Sequence, residues 1–392
     1  MSEVVLNDVC ELIVDCPHST AYDEGTGYPL VRTPNIGRGR IIYSGMHRVC
    51  EEVYNKRNAR AIPQTNDLIF AREATAGNVA LIQEGEKVCL GQRTVLIRPN
   101  ANLVNPAFLT YHLLAPEQQY KLLSTANGAT VAHVNMPTIR NLKLSLPPLA
   151  TQHRIATILS RYDSLIENYQ KQIKLLEEAA QRLYKEWFVD LHFPGHENTK
   201  IVDGVPEGWE KKPISQLGEY LNGFAFKPSD WQKSGKPIIK IKEMGNGVSN
   251  DTPRNNGERV PGKYLVKAGD LLFSWSATLM VIVWSGEEGW LNQHLFKVTP
   301  SKGIEREFLL QSISNTIEEF QNLTTGSTMK HIQRNKLDQV FVNVPNDEIM
   351  KRYSSIAEKK RTEILHLSSQ IRLLSEARDR LLPKLMGGEI KF

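Results

Sequence analysis

The chain is written twice. Gly128-Ala129-Thr130-Val131-Ala132-His133 returns as Gly326-Ser327-Thr328-Met329-Lys330-His331, 198 positions later. The same offset then runs without a gap, so that Leu144-Ser145-Leu146-Pro147 matches Val342-Asn343-Val344-Pro345 and Ile173-Lys174-Leu175-Leu176 matches Ile371-Arg372-Leu373-Leu374. Arg182-Leu183 falls on Arg380-Leu381 in the same frame. A period this long is not that of a solenoid. It requires two domains of one type, each an irregular strand-rich region followed by one long helix.

The globular parts share landmarks in one order. Asp67-Leu68-Ile69-Phe70 answers to Asp270-Leu271-Leu272-Phe273, and Leu90-Gly91-Gln92 to Leu291-Asn292-Gln293, as the offset narrows from 203 to 201 to 198. Short apolar runs between turn residues predict strands at 29–32, 68–70, 79–82 and 94–97 in the first copy. In the second they fall at 238–241, 271–273, 280–284 and 296–298. Helices are predicted over 106–123 and 305–322. Each domain therefore reads as α+β.

The long helices carry the clearest periodicity. Ile155, Leu159, Tyr162, Ile166, Tyr169, Ile173, Leu176, Ala180, Leu183 and Trp187 alternate spacings of four and three, a seam that demands a helical partner. The second helix repeats it with Tyr353, Ala357, Ile364, Leu367, Ile371, Leu374, Leu381 and Leu385, interrupted by Lys360 and Arg378. Those two are expected to face a partner subunit or to pack their stems while the charges reach water. Asn346 or Asp347 can cap this helix, Gly387-Gly388 can close it, and Pro383 should kink or end its last turn. Both seams measure about 50 Å at 1.5 Å per residue. The economical arrangement pairs them with each other, antiparallel, with a globular domain at each end. The alternatives are that each packs on its own domain or on a second chain. The chain thus divides into a first domain (1–146), a first helix (147–192), a second domain (193–345) and a second helix with its tail (346–392).

Bulk composition excludes little. With 48 Lys and Arg against 43 Asp and Glu the net charge is +5, which permits a polyanionic partner without demanding one. The apolar stretch at 271–284 is broken by Ser274, Ser276 and Thr278 and is too short for a bilayer. No secretory or transit peptide is expected ahead of Met1-Ser2-Glu3-Val4. Cys10, Cys16, Cys50 and Cys89 all fall in the first copy, and a disulfide framework would have been duplicated with the fold; reduced thiols in a cytoplasm are expected. There is no P-loop, no Gly-x-Gly-x-x-Gly, no Asn-Pro-Pro-aromatic sequence, no Gly-x-Ser-x-Gly and no zinc spacing. His192 and His196 have a ligand-like interval, but Pro194-Gly195 lies between them. A chain with no catalytic constellation reads as a binding or scaffolding protein.

Domain, long helix, domain, long helix resembles the specificity subunit of type I restriction-modification systems. The resemblance covers the whole chain and rests on Leu146-Pro147-Pro148-Leu149-Ala150-Thr151-Gln152, Val205-Pro206-Glu207-Gly208-Trp209 and Leu382-Pro383-Lys384-Leu385-Met386-Gly387-Gly388-Glu389. Arg32-Thr33-Pro34-Asn35-Ile36, Ala71-Arg72-Glu73 and Gly91-Gln92-Arg93 add to it. It implies two target recognition domains, each reading one half of a bipartite double-stranded DNA site in the major groove. It implies that the helices form an intramolecular antiparallel coiled coil that spaces the half-sites and docks two methyltransferase subunits, with motor-nuclease subunits joining when DNA is cut. Methylation at adenine N6 would draw on S-adenosylmethionine held by the partners. ATP and Mg are likewise expected on partner subunits, and this chain would hold no cofactor or metal.

Base edges are read by Arg, Lys, Asn, Gln, Ser or Thr, and phosphates by scattered basic residues. The expected contacts are Arg32, Thr33, Asn35, Arg72 and Glu73 in the first domain. In the second they are Lys240, Lys242, Ser274, Trp275, Lys330 and His331. Gln92 and Gln293 are expected to share a structural hydrogen bond. His133 and His331 read equally as turn-end histidines or as phosphate contacts. The competing reading is a structural tether, with two protein-binding domains on a coiled-coil rod.

Overall fold

The structure is a computed structural model describing residues 2–124, 133–323 and 334–390. The chain forms two compact units, Met1–Ile166 with Leu374–Phe392, and Glu167–Leu373.

In the first unit β1 (Ser2–Val5), β2 (Cys10–Asp15), β3 (Tyr28–Val31) and β4 (His47–Val49) precede α1 (Glu51–Arg57). Next come β5 (Leu68–Ala71), β6 (Val79–Leu81), β7 (Cys89–Leu90), β8 (Thr94–Pro99), α2 (Pro106–Leu114), α3 (Pro116–Ser124), α4 (Met136–Arg140) and β9 (Lys143–Leu146). β9 leads into the long helix α5 (Leu149–Tyr184). An antiparallel sheet runs β2-β8-β5-β6, and a smaller one β4-β3-β7, where β3 and β7 are parallel. β5 is apolar throughout because both its faces are covered. Leu68 and Phe70 join the core under α2, while Ile69 and Ala71 join a second core with Val31, Ile82 and Leu96. Asn105 caps α2 by accepting from the Phe108 N–H at 2.9 Å. The helix predicted over 106–123 breaks at Ala115, which precedes Pro116 and is held extended.

The second unit repeats this plan. β10 (Ile201–Val202), β11 (Val205–Pro206), β12 (Glu210–Pro213), β13 (Gly218–Asn222) and β14 (Lys236–Ile239) lead to α6 (Ile241–Asn246). They are followed by β15 (Arg254–Asn255), β16 (Leu265–Val266), β17 (Leu271–Ser274), β18 (Met280–Val283), β19 (Gly289–Leu291), β20 (Leu295–Pro300), α7 (Arg306–Asn315), α8 (Ile317–Asn322), β21 (Phe341–Val344) and α9 (Asp347–Met386). The sheets run β13-β20-β17-β18 and β15-β14-β19-β16, again with the central pair of the smaller sheet parallel. β1 pairs with β9, and β12 with β21. In both units a strand ahead of the main sheets, β1 or β12, is thus tied to the strand that feeds the long helix.

Asn346 caps α9, accepting from the Ile349 N–H at 3.0 Å. Pro383 sits inside the last turn without ending it, and Gly388 at φ +73° closes the helix. α5 ends through a π-helical turn, Lys185–Val189. The two long helices are antiparallel in both units. In the first, Asp163 meets Arg378 while Ile155 and Leu159 share a core with Leu382 and Leu385. In the second, Trp187 packs on Tyr353, and Ala357 lies in the same core.

The expected seam faces inward. Ile155, Leu159, Ile166, Trp187, Ile364 and Leu367 are buried, and Tyr162, Tyr169, Ile173, Leu176, Leu183, Ile371, Leu374 and Leu381 are half-buried. Near the end of each helix the expected seam residues Leu183 and Leu381 are only half-buried, and the residue one place later, Tyr184 or Leu382, is buried. A straight helix drifts by about 20° per heptad against a 3.5-residue repeat. Arg378 is a correction. It is half-buried and donates across to Asp163 at 2.7 Å and to the exposed Asp379 at 2.9 Å. Lys360 is half-buried, and the fully buried cation beside it is Arg361. Among the described residues no helix is long and apolar enough to cross a membrane. The four cysteines are free.

Candidate nucleic-acid interface

The chain leaves the central strand of each smaller sheet in the same way. Arg32 follows β3 and Lys240 follows β14. Each starts a helical turn whose third residue, Asn35 or Glu243, accepts a hydrogen bond from its backbone N–H, at 3.3 Å and 3.1 Å. That third residue is buried in both domains and holds the next loop. The Asn35 amide donates to the Ile42 carbonyl at 3.1 Å, and the Glu243 carboxylate accepts from the Thr252 hydroxyl at 3.1 Å. The turn therefore presents one basic side chain at a fixed place. Arg32 donates to the Gly45 carbonyl at 2.9 Å and stays half-exposed. The Lys240 ammonium lies 4.3 Å from the ring centre of Trp231, which is 48% exposed.

A second pair of basic residues braces the same region. Gly27 and Gly235 take φ of +97° and +104°, and a Cβ on either would strike the facing carbonyl oxygen, of Val49 or Asn255. Arg48 donates to the Gly27 carbonyl at 2.7 Å and Arg254 to the Gly235 carbonyl at 2.9 Å. Sequence reading passed over both, although each lies on the strand paired with the central one.

The residues after β5 and β17 diverge from expectation. Arg72 is only 8% exposed and its guanidinium is fully engaged. It donates to the Val134 carbonyl at 3.0 Å and to Asp15 at 2.8 Å, and lies 2.9 Å from His133. Glu73 binds His133 at 2.6 Å and Arg93 at 2.5 Å. Both side chains, expected at base edges, are thus held in an internal network running from Asp15 to Arg93. Thr33 and Asn35 are buried too, and the Asn35 side chain is engaged within the turn. Ser274 is fully buried, donating to the Thr278 carbonyl and accepting from the Met280 N–H at 2.9 Å. It shapes the hairpin and does not reach the surface. Trp275 donates to the Asn222 side chain at 3.3 Å and lies against His294.

Lys242 is exposed and paired with Asp251. Lys330 and His331 lie outside the described residues. Gln92 donates to the His18 carbonyl at 3.2 Å, whereas Gln293 accepts from the Asn292 side chain at 2.8 Å, so the two share no common bond. His133 sits in the network and is not a free phosphate ligand.

What remains at the surface of the first domain is a cleft of about 290 Å³ lined by Thr20, Arg32, Thr33, Gln92 and Arg93, with Arg57 beneath. Arg57 donates to the carbonyls of Leu90, Ser19 and Pro17 with no carboxylate among them, and its burial lowers its pKa. The cleft gathers donors and positive charge, which suits acceptor-rich base edges and phosphates. No cysteine or histidine lines it. Burial pushes the Cys89 thiol up to about 11 and the Cys10 thiol to about 12, far from a reactive thiolate at neutral pH. Among the described residues no group of three His, Cys, Asp or Glu could hold a metal ion. The His192 and His196 rings lie 5.4 Å apart, but each nitrogen that bonds is taken, by Glu186 and by the Phe193 carbonyl.

Known proteins match this architecture. The family described as type I restriction modification DNA specificity domain matches residues 1–178 and again 206–371. The type I restriction enzyme MjaIX specificity subunit of Methanocaldococcus jannaschii is 23% identical over 409 residues, spanning 98% of this chain and 92% of that protein. The HindI specificity subunit of Haemophilus influenzae is 25% identical over 370 residues, spanning 76% of this chain and 80% of its own. The crystal structure of the type I restriction-modification S subunit from M. genitalium shares the fold, with a TM-score of 0.55 at 14% identity. That match covers 98% of this chain and 95% of the other.

Proposed function

The chain belongs to the type I restriction modification DNA specificity family, and from that premise we propose that it is the non-catalytic, sequence-reading subunit of a type I restriction-modification complex. Each domain reads one half of a bipartite DNA site in the major groove. The observation that carries this is the repeated turn after the central strand. Arg32 and Lys240 stand at the same place in two domains of one plan, each held by a buried third residue. Two equivalent basic probes suit two separate half-sites better than one continuous surface.

The helix pair sets the distance between the half-sites and supplies the surface on which two methyltransferase subunits dock. Motor-nuclease subunits join for cleavage. S-adenosylmethionine, ATP and Mg belong to those partners, in the cytoplasm of a prokaryote. The weak net charge of +5 fits a complex in which partners supply much of the phosphate neutralisation.

Reconstitution with the cognate methyltransferase tests this reading. The complex should methylate one bipartite sequence in random-sequence DNA, and its binding should weaken steeply as salt rises. Methyl transfer by this chain alone, or salt-independent binding to one contiguous sequence, would overturn it.

A further inference from the structure

The offset of 198 that relates the two long helices carries Asp163 onto Arg361. These equivalent positions hold opposite charges, and both are buried, at 5% and 6% exposure. Charged side chains are almost never that buried unless paired.

In the first unit Asp163 is a three-way joint. Its carboxylate accepts from the Tyr111 hydroxyl of α2 at 2.5 Å and from the Arg378 guanidinium of α9 at 2.7 Å. One side chain on α5 thereby binds the globular domain and the second helix together. In the second unit Arg361 on α9 donates to both carboxylate oxygens of Glu307 on α7 at 3.1 Å, and Glu307 is 1% exposed. Phe108-Leu109 of α2 answers to Phe308-Leu309 of α7, which places Glu307 one turn from the counterpart of Tyr111, Gln311. Residue 378 of the second helix corresponds to Ala180 of the first, which is buried and uncharged. A buried charge thus ties a long helix to the globular domain in each unit, a carboxylate on α5 bound to Tyr111 and Arg378 in one and a guanidinium on α9 bound to Glu307 in the other. A generic hydrophobic seam would not need either.

We infer that Asp163 and Arg361 are positioning residues for DNA reading: each fixes its own globular domain on the helix pair, and so fixes where that domain's half-site must fall. Apolar seams slide and rotate at modest cost, because many packings bury similar area. A buried charge with directional partners does not slide, since any displacement leaves it unpaired in a dry site. The opposite signs also key each domain to its own helix. A carboxylate at 361 would face Glu307, and a guanidinium at 163 would face Arg378. This inference rests on the reading of the chain as a DNA specificity subunit.

The test uses the full chain assembled with its methyltransferase, with methylated sites mapped in random-sequence DNA. Asp163→Asn keeps the shape and removes the charge. It should broaden the accepted spacer to adjacent lengths, slow methylation at the native spacer by about 10- to 100-fold, as a 1 Å misplacement does elsewhere, and leave both half-site sequences unchanged. Tyr111→Phe, which deletes one hydroxyl and keeps the packing, should broaden the spacer in the same direction but less. In the second unit Arg361→Glu should do the same, and Arg361→Glu with Glu307→Arg should restore the single native spacer, a rescue that simple loss of stability does not produce. A folded Asp163→Asn and Tyr111→Phe pair with an unchanged spacer distribution overturns the inference. Failure of the wild-type complex to select a bipartite site overturns the underlying functional reading instead.

Discussion

At equivalent positions the two units bury different material. Where the helices meet the first domain, the core is aliphatic: Ile155 and Leu159 pack with Leu382 and Leu385. The matching residues in the second unit are Tyr353, Ala357, Tyr184 and Trp187, and with Phe188 and Phe308 they form a cluster of tilted and edge-on rings. Ala357 takes the place of Leu159 because a small residue there leaves room for the rings. The polar networks differ in the opposite sense. The first domain carries the charged chain from Asp15 through Arg72, His133 and Glu73 to Arg93, and the second has Trp275, Asn222 and His294 in that region. Duplication kept the backbone plan and the outward turn, while each core diverged under its own packing constraints.

The largest effect should come from the aromatic cluster. Tyr353→Ala removes a fully buried ring and should cost about 3–5 kcal/mol, read as loss of hydrogen-exchange protection in α7 and the start of α9. Its counterpart Ile155→Ala should act in the same range or below, but on α2 and the start of α5. If both variants loosen the same unit, the two cores are not independent and the comparison fails.

Arg72→Ala should be next. It strips one partner from Asp15, which keeps His18 at 3.2 Å, and a donor from the Val134 carbonyl, and leaving buried polar groups unmatched costs up to about 3 kcal/mol. The expected outcome is a drop in the unfolding midpoint of the first domain with the methylated sequence unchanged. A variant that keeps its stability and changes one half-site would restore Arg72 as a base contact.

Acid should also separate the units. His112 of α2 is buried, and desolvation lowers its pKa from 6.5 to about 4. The unfolded chain takes up a proton that the folded one refuses, so stability is full above about pH 6.5 and falls as pH drops towards 4. Between pH 7 and 5 the loss is on the order of 2 kcal/mol. The second unit has Ser312 at this place and should not share the loss. Denaturant unfolding at the two pH values, with and without His112→Gln, measures it; an equal acid response in the variant would assign the effect elsewhere.

Much of this was legible in the sequence. The duplication, the α+β order, the seam and the eight expected strands rest on local periodicity, and those strands recur within two residues; strands such as β1, β2 and β9 went unread, and the helix expected over 305–322 divides into α7 and α8 at Thr316. Asn346 and Gly388 could be read as caps because capping is a local event. What could not be read is where a polar side chain after a strand spends its hydrogen bonds. Arg72 and Arg32 follow strands of similar composition. The partners of Arg72 lie at Asp15 and Val134, and only the folded sheet brings them together. Ser274 is buried for a related reason: its hydroxyl closes the hairpin around Thr278. The charged seam was half-legible. Period marked Lys360 and Arg378 as interruptions, yet helical drift moved the buried cation to Arg361, and the carboxylate that answers Arg378 lies on the other helix.

The smallest expected effect bears on what the two domains still share. Arg32 and Lys240 occupy one position, but their chemistry differs. A guanidinium is a planar fork that matches the two acceptors of a guanine edge, whereas an ammonium is a point charge suited to phosphate. Arg32 is half-exposed beside the donors of the cleft, while the Lys240 ammonium is held over the Trp231 ring. Arg32→Ala should therefore relax base preference at one position of a single half-site, at a cost of about 1 kcal/mol or somewhat more in discrimination. Lys240→Ala should weaken binding by a similar or smaller amount on all sequences alike, and should reduce the slope of log affinity against log salt by about 1. Salt titrations on the native site and on single-base variants of each half-site distinguish the two. If Lys240→Ala changes the base preference of the second half-site and leaves the salt slope untouched, both probes read bases, and the domains share function as well as plan at that turn.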